Sequence, residues 1–270
     1  HADGAVHIED RGFQFADGVY EVVTVHGGNL VDEAGHLDRL DRSLRELSIP
    51  WPVGRRSLQM IIRETARRNA ARDALLYIQV TRGSAARDFP FPKVVSPSLV
   101  VTVRRANLSA AKSVEKGVSV ITIPDIRWKR RDIKSVSLLP QVLGKQKARE
   151  AGAMEAWQVD EDGFVTEGCS SNAWIVNKDG ILVTRQPNHL ILKGITRGTI
   201  MSLANENDVM LEERPFTVAE AYEAREAFLT SATTYAMPIV KIDDRVVGEG
   251  KPGSFTLQLR SLYWKHATRH

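Results

Sequence analysis

Apolar positions follow two rhythms along this chain. Over 37–47, Leu37, Leu40, Leu44 and Leu47 recur three or four residues apart with Asp and Arg between them. That spacing predicts an amphipathic helix, which Pro50-Trp51-Pro52 stops. A second helix is predicted over 56–69, where Leu58, Ile61 and Ile62 stand among charges. Segment 13–25 is instead rich in aromatic and β-branched residues and reads as strand. His26-Gly27-Gly28-Asn29 then makes a hairpin turn before Leu30-Val31. Strands follow at 75–81 and 99–104. Segment 107–117 is polar, small and lysine-bearing, with no core pattern, and is expected to link an N-terminal α/β domain (1–106) to a second domain (118–270).

The second domain is richer in strands. A strand is expected at 118–123, a basic loop at 125–131, and a helix at 139–150 closed by Gly152. Two hairpins follow: 155–159 with 164–166 across Asp160-Glu161-Asp162-Gly163, and 173–176 with 181–184 across Asn177-Lys178-Asp179-Gly180. Helices are expected to begin near Thr196 and near Thr217, the latter with the capping box Thr217-x-x-Glu220 ahead of an amphipathic stretch. A strand pair at 227–230 and 239–243 precedes a last helix. The fold class is therefore mixed α/β (α+β) in two domains, the second larger and strand-rich.

Composition narrows the class. At 270 residues, 43% hydrophobic and 26% charged, the chain has room for two lobes. The longest apolar runs, such as Leu99-Val100-Val101-Thr102-Val103, are strand-sized, so no membrane span is expected. A net charge of +4 suits an enzyme that handles anions. The single cysteine, Cys169, allows neither an internal disulfide nor a cysteine metal cluster and fits a reducing, cytoplasmic setting. The chain starts at His1 rather than Met, so its natural N-terminus is expected further upstream; nothing from His1 onward looks like a targeting segment.

Several familiar chemistries lack their motifs. There is no GxGxxG, P-loop, HExxH or GxSxG, and the histidines are too scattered to suggest a metal site. Lysine is more informative. In Asp132-Ile133-Lys134-Ser135-Val136-Ser137-Leu138, Lys134 is expected at a strand end just before a serine-capped helix. The positive end of a helix disfavours a cation, and Schiff-base chemistry needs a neutral amine. Lys145 and Lys147, on the charged face of a helix, read as ordinary solvated lysines. The Thr166-Glu167-Gly168-Cys169-Ser170-Ser171-Asn172 segment puts a carboxylate in a turn, where it could hold a heterocyclic nitrogen. Leu192-Lys193-Gly194-Ile195-Thr196-Arg197 opens a helix with a glycine turn and a threonine cap, a good place for a phosphate. Thr230-Ser231-Ala232-Thr233-Thr234 adds hydroxyls. Arg127-Trp128-Lys129-Arg130-Arg131 could serve a nucleic-acid-binding module, but the run is short and solitary, so no nucleic-acid partner is expected.

Taken in order, these segments resemble the fold-type IV pyridoxal-phosphate enzymes, and most of all the bacterial D-amino-acid transaminases. The resemblance runs over nearly the whole chain: residues 10–21 (Asp10-Arg11-Gly12 through Tyr20-Glu21), His36-Leu37-Asp38-Arg39-Leu40, Asp125-Ile126-Arg127-Trp128, Lys134, Glu167 to Asn172, and Lys193 to Arg197. It implies pyridoxal 5'-phosphate as cofactor, held as a Schiff base by Lys134, which also shuttles the substrate's Cα proton. It implies that Glu167 pairs with the pyridine nitrogen. Arg39, Ile195 and Thr196, with Ser231 and Ala232, would form the phosphate cup, and Leu192 would pack on the ring. Tyr20 and Arg87 would bind the substrate carboxylate. The implied reaction is ping-pong transamination between D-amino acids of the D-alanine and D-glutamate type and 2-oxo acids, in a homodimer.

Three positions depart from that pattern. Ala232 stands where a threonine is usual, leaving Thr233 as a possible substitute hydroxyl. Ser137 stands where an asparagine is common. The Arg87-Asp88-Phe89-Pro90 segment is shortened and lacks the family's histidine. The family's first strand would lie ahead of His1. Rival readings within the fold are a branched-chain L-amino-acid transaminase, an aminodeoxychorismate lyase and an R-selective amine transaminase. Ser170-Ser171-Asn172 and Arg87 favour the D-amino-acid group.

Overall fold

The computed structural model describes residues 4–94 and 96–268. His1, and with it the expectation of a preceding strand, lies outside the described residues. The chain divides into two compact units, His1–Asn107 with Ile133–Leu138, and Leu108–Asp132 with Leu139–His270. No helix among the described residues is long and apolar enough to cross a membrane.

The first unit comprises α1 (Arg11–Phe15), β1 (Gly18–His26), β2 (Asn29–Leu30), α2 (Glu33–Glu46), α3 (Arg55–Arg68), β3 (Ala74–Thr81) and β4 (Ser98–Arg105). Its strands form an antiparallel sheet in the order β2-β1-β3-β4. Alternation sends Val19, Val23 and Val25 of β1 and Leu76, Ile78 and Val80 of β3 to one face. There they bury against Leu37, Leu40 and Leu44 of α2 and Leu58 and Ile62 of α3. Residues 13–15, expected in a strand, are helical instead. The Asp10 side chain accepts the Gly12 N–H (2.8 Å), and Ala16, left-handed at φ 55°, ends the turn. A good cap outweighs the β preference of two phenylalanines.

The short β2 pairs only with Val25 and His26, so the first half of β1 keeps an open edge. Residues 133–138 take that edge, although more than a hundred residues separate them from β1. Tyr20 N–H donates to the Lys134 carbonyl (3.0 Å), Val136 N–H donates to the Gly18 carbonyl (3.0 Å), and Val19 bridges to Ser135. Ile133 is buried in the core beside them. Unmet strand edges attract a partner, and here the partner carries Lys134.

The second unit contains α4 (Ala111–Lys116), β5 (Val118–Pro124), α5 (Leu139–Glu150), β6 (Glu155–Val159), β7 (Val165–Gly168), β8 (Asn172–Val176), β9 (Leu182–Thr184) and α6 (Ile195–Glu206). It continues through β10 (Leu211–Glu213), α7 (Val218–Tyr222), β11 (Glu226–Ser231), β12 (Tyr235–Ile242), β13 (Arg245–Val246) and α8 (Ser254–Thr268). The mixed sheet runs β10-β9-β8-β11-β12-β5-β6-β7, with β13 on β12. Its last strand, β7, leads through residues 169–171 straight into its third, β8, so the sheet must curl on itself. Trp157, Phe216, Ile175, Leu229 and Met237 fill one core, while Trp174 stacks on Phe228 at 5.4 Å elsewhere in the unit.

Three expectations change here. Segment 107–117 carries α4, and the second unit takes the chain from Leu108. Glu167 sits within β7 rather than in the turn after it. Thr217 does cap α7, accepting the Glu220 N–H at 3.1 Å, but that helix lasts only five residues.

One charge interrupts the apolar face of β1. Glu21 lies between Val19 and Val23 and is fully buried. Arg39 grips it with two bonds, Nε to Oε1 and Nη2 to Oε2, each 2.8 Å, and His36 Nδ1 stands 2.7 Å from Oε2. Burial alone would raise the Glu21 carboxyl, but Arg39 and then His36 outweigh it and hold it down at about 2, against an ordinary 4.5. A depressed carboxylate contributes stability that is full above about pH 4.5 and is lost as pH falls through about 2. Glu21→Gln should therefore cost about 3 kcal/mol at neutral pH by leaving a buried guanidinium without its counter-charge. In urea unfolding, the gap from wild type should shrink between pH 4.5 and 2; a gap independent of pH would contradict this.

Candidate active site

In the first unit, edge pairing on β1 sets Lys134 beside Tyr20. The Lys134 Nζ lies 4.3 Å from the Tyr20 ring centroid, a cation–π distance. Its backbone N–H donates to Ser43 Oγ on α2 at 3.3 Å. Helix α5 starts at Leu139, five residues on, and within its own unit the amine's neighbour is an aromatic face. Arg39 lies one turn before Ser43 on α2 and is fixed by Glu21, the residue after Tyr20. Lys134 is thus held against Tyr20 by its side chain and to α2 by its backbone, one turn from Arg39, which grips Glu21 on the other face of β1. Arg87 does not join them. It is exposed on the loop after β3, its guanidinium 4.9 Å from the Phe15 ring and 5.9 Å from Phe89.

In the second unit Glu167 is 4% exposed. Arg127 Nη1 donates to its Oε1 at 2.5 Å, Asn172 Nδ2 to Oε2 at 3.0 Å, and the Leu192 N–H is shared between both oxygens at 3.1 and 3.2 Å. Burial pushes this carboxyl above the ordinary range; Arg127 and the Leu192 N–H oppose that without cancelling it. Arg127 is itself bound to Asp125 through Nε (3.0 Å) and Nη2 (2.7 Å), and Asp125 also accepts from Thr166 Oγ1 at 2.7 Å. Burial pulls the Arg127 guanidinium down, but Glu167 and Asp125 more than restore it, so it stays charged. Arg131 is almost as buried and pairs with Asp125 at 3.3 Å. The two outer arginines of the basic run therefore serve internal carboxylates.

Asn172 gathers the remaining pieces. Its amide donates to the Leu192 carbonyl (2.9 Å) as well as to Glu167, and a Cβ on Gly194 would collide with its Oδ1. Only glycine lets the start of α6 lie this close. Gly194, not Thr196, is the N-cap of α6, and no side chain caps the helix. Ile195 and Thr196 thus belong to a first turn whose N–H groups suit an anion. On β11, Thr230 pairs with Asn172, which places Ser231 one residue further along. Ser231 Oγ is 3.0 Å from Thr233 Oγ1 and 2.8 Å from Thr234 Oγ1, so hydroxyls cluster beside Ala232.

Next to them is a cavity of ≈ 140 Å³ bounded by Ser170, Ser171, Ser231, Thr233, Lys145 and Glu155 among others. Lys145 is not simply solvated: its Nζ lies 3.4 Å from buried Glu155 and donates to the Met154 carbonyl at 2.7 Å. Glu155 in turn accepts from Ser170 Oγ (2.7 Å) and Ser171 Oγ (3.1 Å), which orders the turn between β7 and β8.

Sequence reasoning passed over Glu21, Arg127 and the particular role of Asn172. A signal existed for Glu21, a charge in phase with Val19 and Val23. Asp125-x-Arg127 also places opposite charges on one side of an extended segment. Asn172 gave no such sign, because its partners are set by β8–β11 register.

Residues 18–242 match the family of amino-transferases of class IV. The D-alanine aminotransferase of Bacillus licheniformis is 40% identical over 257 residues, covering 95% of this chain and 90% of that protein. That of Listeria monocytogenes serotype 1/2a is 37% identical, covering 99% and 92%. Among solved structures, the branched-chain amino acid aminotransferase of Escherichia coli superposes with a TM-score of 0.90 at 22% identity, covering 98% of this chain and 90% of that one. That likeness speaks for the fold, while the match across most of the chain and the full-length relatives settle the family. The chain belongs to the class IV aminotransferases.

Proposed function

We propose that this protein is a pyridoxal-phosphate transaminase that moves nitrogen between D-amino acids, of the D-alanine and D-glutamate type, and 2-oxo acids. The observation that carries the chemistry is the buried Glu167 carboxylate. It offers about four acceptor sites, and Arg127, Asn172 and the shared Leu192 N–H leave room for one more donor. A protonated ring nitrogen fits that description, and the start of α6 beside Asn172 suits the phosphate of the same molecule. D-amino acids are favoured by the full-length relatives, named D-alanine aminotransferases.

When bound, the cofactor supplies a reactive aldehyde and a ring that accepts the electron pair left at the substrate Cα. Lys134 would hold it through Nζ, and with substrate in place the same Nζ would take the Cα proton and give it back. Glu167 would pair with the ring nitrogen, with Arg127 working against the rise that burial gives its carboxyl. Arg39 adds charge to the phosphate cup formed by Ile195, Thr196 and Ser231 and is kept in place by Glu21. In this cup Thr233 replaces the hydroxyl missing at Ala232. Leu192 would pack on the ring, and Tyr20, together with Arg87 from the exposed loop after β3, would bind the substrate carboxylate. A cytoplasmic homodimer completes the reading, and the lone Cys169 makes no demand for an oxidising compartment.

The direct test is the first half-reaction. D-alanine should bleach the absorbance of the bound cofactor, and L-leucine or L-glutamate should not; the reverse order would favour the branched-chain reading. Glu167→Gln keeps the side chain's shape but cannot hold a counter-charge. It should lower kcat by about 10²–10⁴-fold with D-alanine; a loss below about tenfold would remove Glu167 from the chemistry.

A further inference from the structure

The segment Asp10 to Gly18 contributes to the resemblance, yet the transamination scheme gives it no task. Its charges form a buried triad in the first unit. Arg11 Nε donates to Asp17 Oδ2 at 2.8 Å. Arg82 donates to the same carboxylate through Nε (2.7 Å to Oδ2) and Nη2 (3.0 Å to Oδ1). The side chains of Arg11, Arg82 and Asp17 are 4%, 1% and 11% exposed. Two guanidinium groups thus share one carboxylate. Burial alone would raise the Asp17 carboxyl, but Arg82 and Arg11 hold it below its ordinary range. Asp17 can neutralise only one of the two charges, and a buried guanidinium must place its other donors on acceptors.

Those acceptors are backbone carbonyls of two loops. Arg82 donates to Leu47 (2.6 Å) and Ser48 (2.9 Å), which end α2. Arg11 donates to Asp88 (2.6 Å) and Phe89 (3.2 Å). The second pair belongs to the loop that carries Arg87. Among its described residues that loop is little buried: Phe89 and Phe91 are 77% and 58% exposed. The contacts they do make lead back to the same group. The Phe91 ring lies 3.5 Å from the Arg82 guanidinium, the Phe89 ring 5.5 Å from Phe15 of α1, and Arg87 itself over Phe15. An exposed loop with so little burial would otherwise sample many positions.

We infer that Arg11, anchored on Asp17, is a positioning residue for substrate recognition. By holding the Asp88 and Phe89 carbonyls it fixes where Arg87 stands, and so how tightly a substrate carboxylate is bound. The clamp also accounts for how the shortened loop can work without the family's histidine, since a fixed guanidinium loses less freedom when it binds. This rests on the proposed role of Arg87, and the test separates the two.

The holoenzymes of Arg11→Lys, Phe89→Ser and Arg87→Gln are compared with wild type by KM and kcat for D-alanine, and the first two also by the rate of tryptic cleavage after Arg87. Lysine retains the charge beside Asp17 but cannot fork to two carbonyls as well. Arg11→Lys should raise KM about tenfold or more with kcat within about twofold, the pattern of lost ground-state binding. It should also speed cleavage after Arg87 by about tenfold. Phe89→Ser, on an exposed ring, should move both readouts in the same direction and decides the matter if Arg11→Lys does not fold. If Arg87→Gln raises KM while Arg11→Lys and Phe89→Ser leave KM or cleavage at wild-type values, the clamp is refuted. If Arg87→Gln leaves KM unchanged, the carboxylate role of Arg87 fails and takes this inference with it.

Discussion

A buried carboxylate gripped by an arginine governs the second unit. Glu167 has lost its water, which pushes its carboxyl above the ordinary range, and Arg127 and the Leu192 N–H work against that shift. Asp125 fixes Arg127, Asn172 and Leu192 complete the ring of donors, and each of these ties down a further element. Through Asn172 the register of β8 on β11 becomes linked to the backbone of Leu192 and the start of α6. Within this unit the residues assigned to the ring and the start of α6 are thereby linked by one hydrogen-bond network. Such a network is strong when every member is satisfied and costly when one is missing.

The first unit solves a different problem. Lys134 is remote in sequence from the strand it needs, and the unpaired half of β1 supplies the means of bringing it there. Backbone pairing of Lys134 and Val136 with β1 fixes the direction of the lysine side chain without using the side chain itself. Glu21 and Tyr20, adjacent on β1, then serve opposite faces, one gripping Arg39 and the other lying beneath the amine. Strand alternation lets a two-residue segment supply both a buried anchor and a reactive surface.

How much of this could be read beforehand follows from the range of the forces involved. Helix α5 is found at the predicted 139–150 because its signals are local: apolar spacing and a closing glycine. The same holds for α2, α3 and both hairpins of the second unit. The aromatic run at Phe13 and Phe15 misleads because a single side-chain cap at Asp10 reverses a composition signal. Thr196 reads as a cap because threonine usually is one; the close approach of Asn172 requires Gly194 there instead. Lys134, Glu167, Arg39 and the hydroxyls around Ser231 are legible through resemblance and the Asp125–Arg127 pair through its spacing, whereas the grip of Arg127 and Asn172 on Glu167 depends on pairings that sequence spacing does not encode. A basic run that reads as surface charge proves to be half interior because its carboxylates, Asp125 and Glu167, lie forty-odd residues apart.

The central claim is that Lys134 is the lysine that carries the cofactor. Borohydride reduction of the purified holoenzyme, followed by peptide mapping, fixes the cofactor to whichever lysine holds it. The label is predicted on the peptide containing Lys134. A label on Lys145, Lys193 or any other lysine would contradict the account, as would purified protein that takes up no cofactor at all.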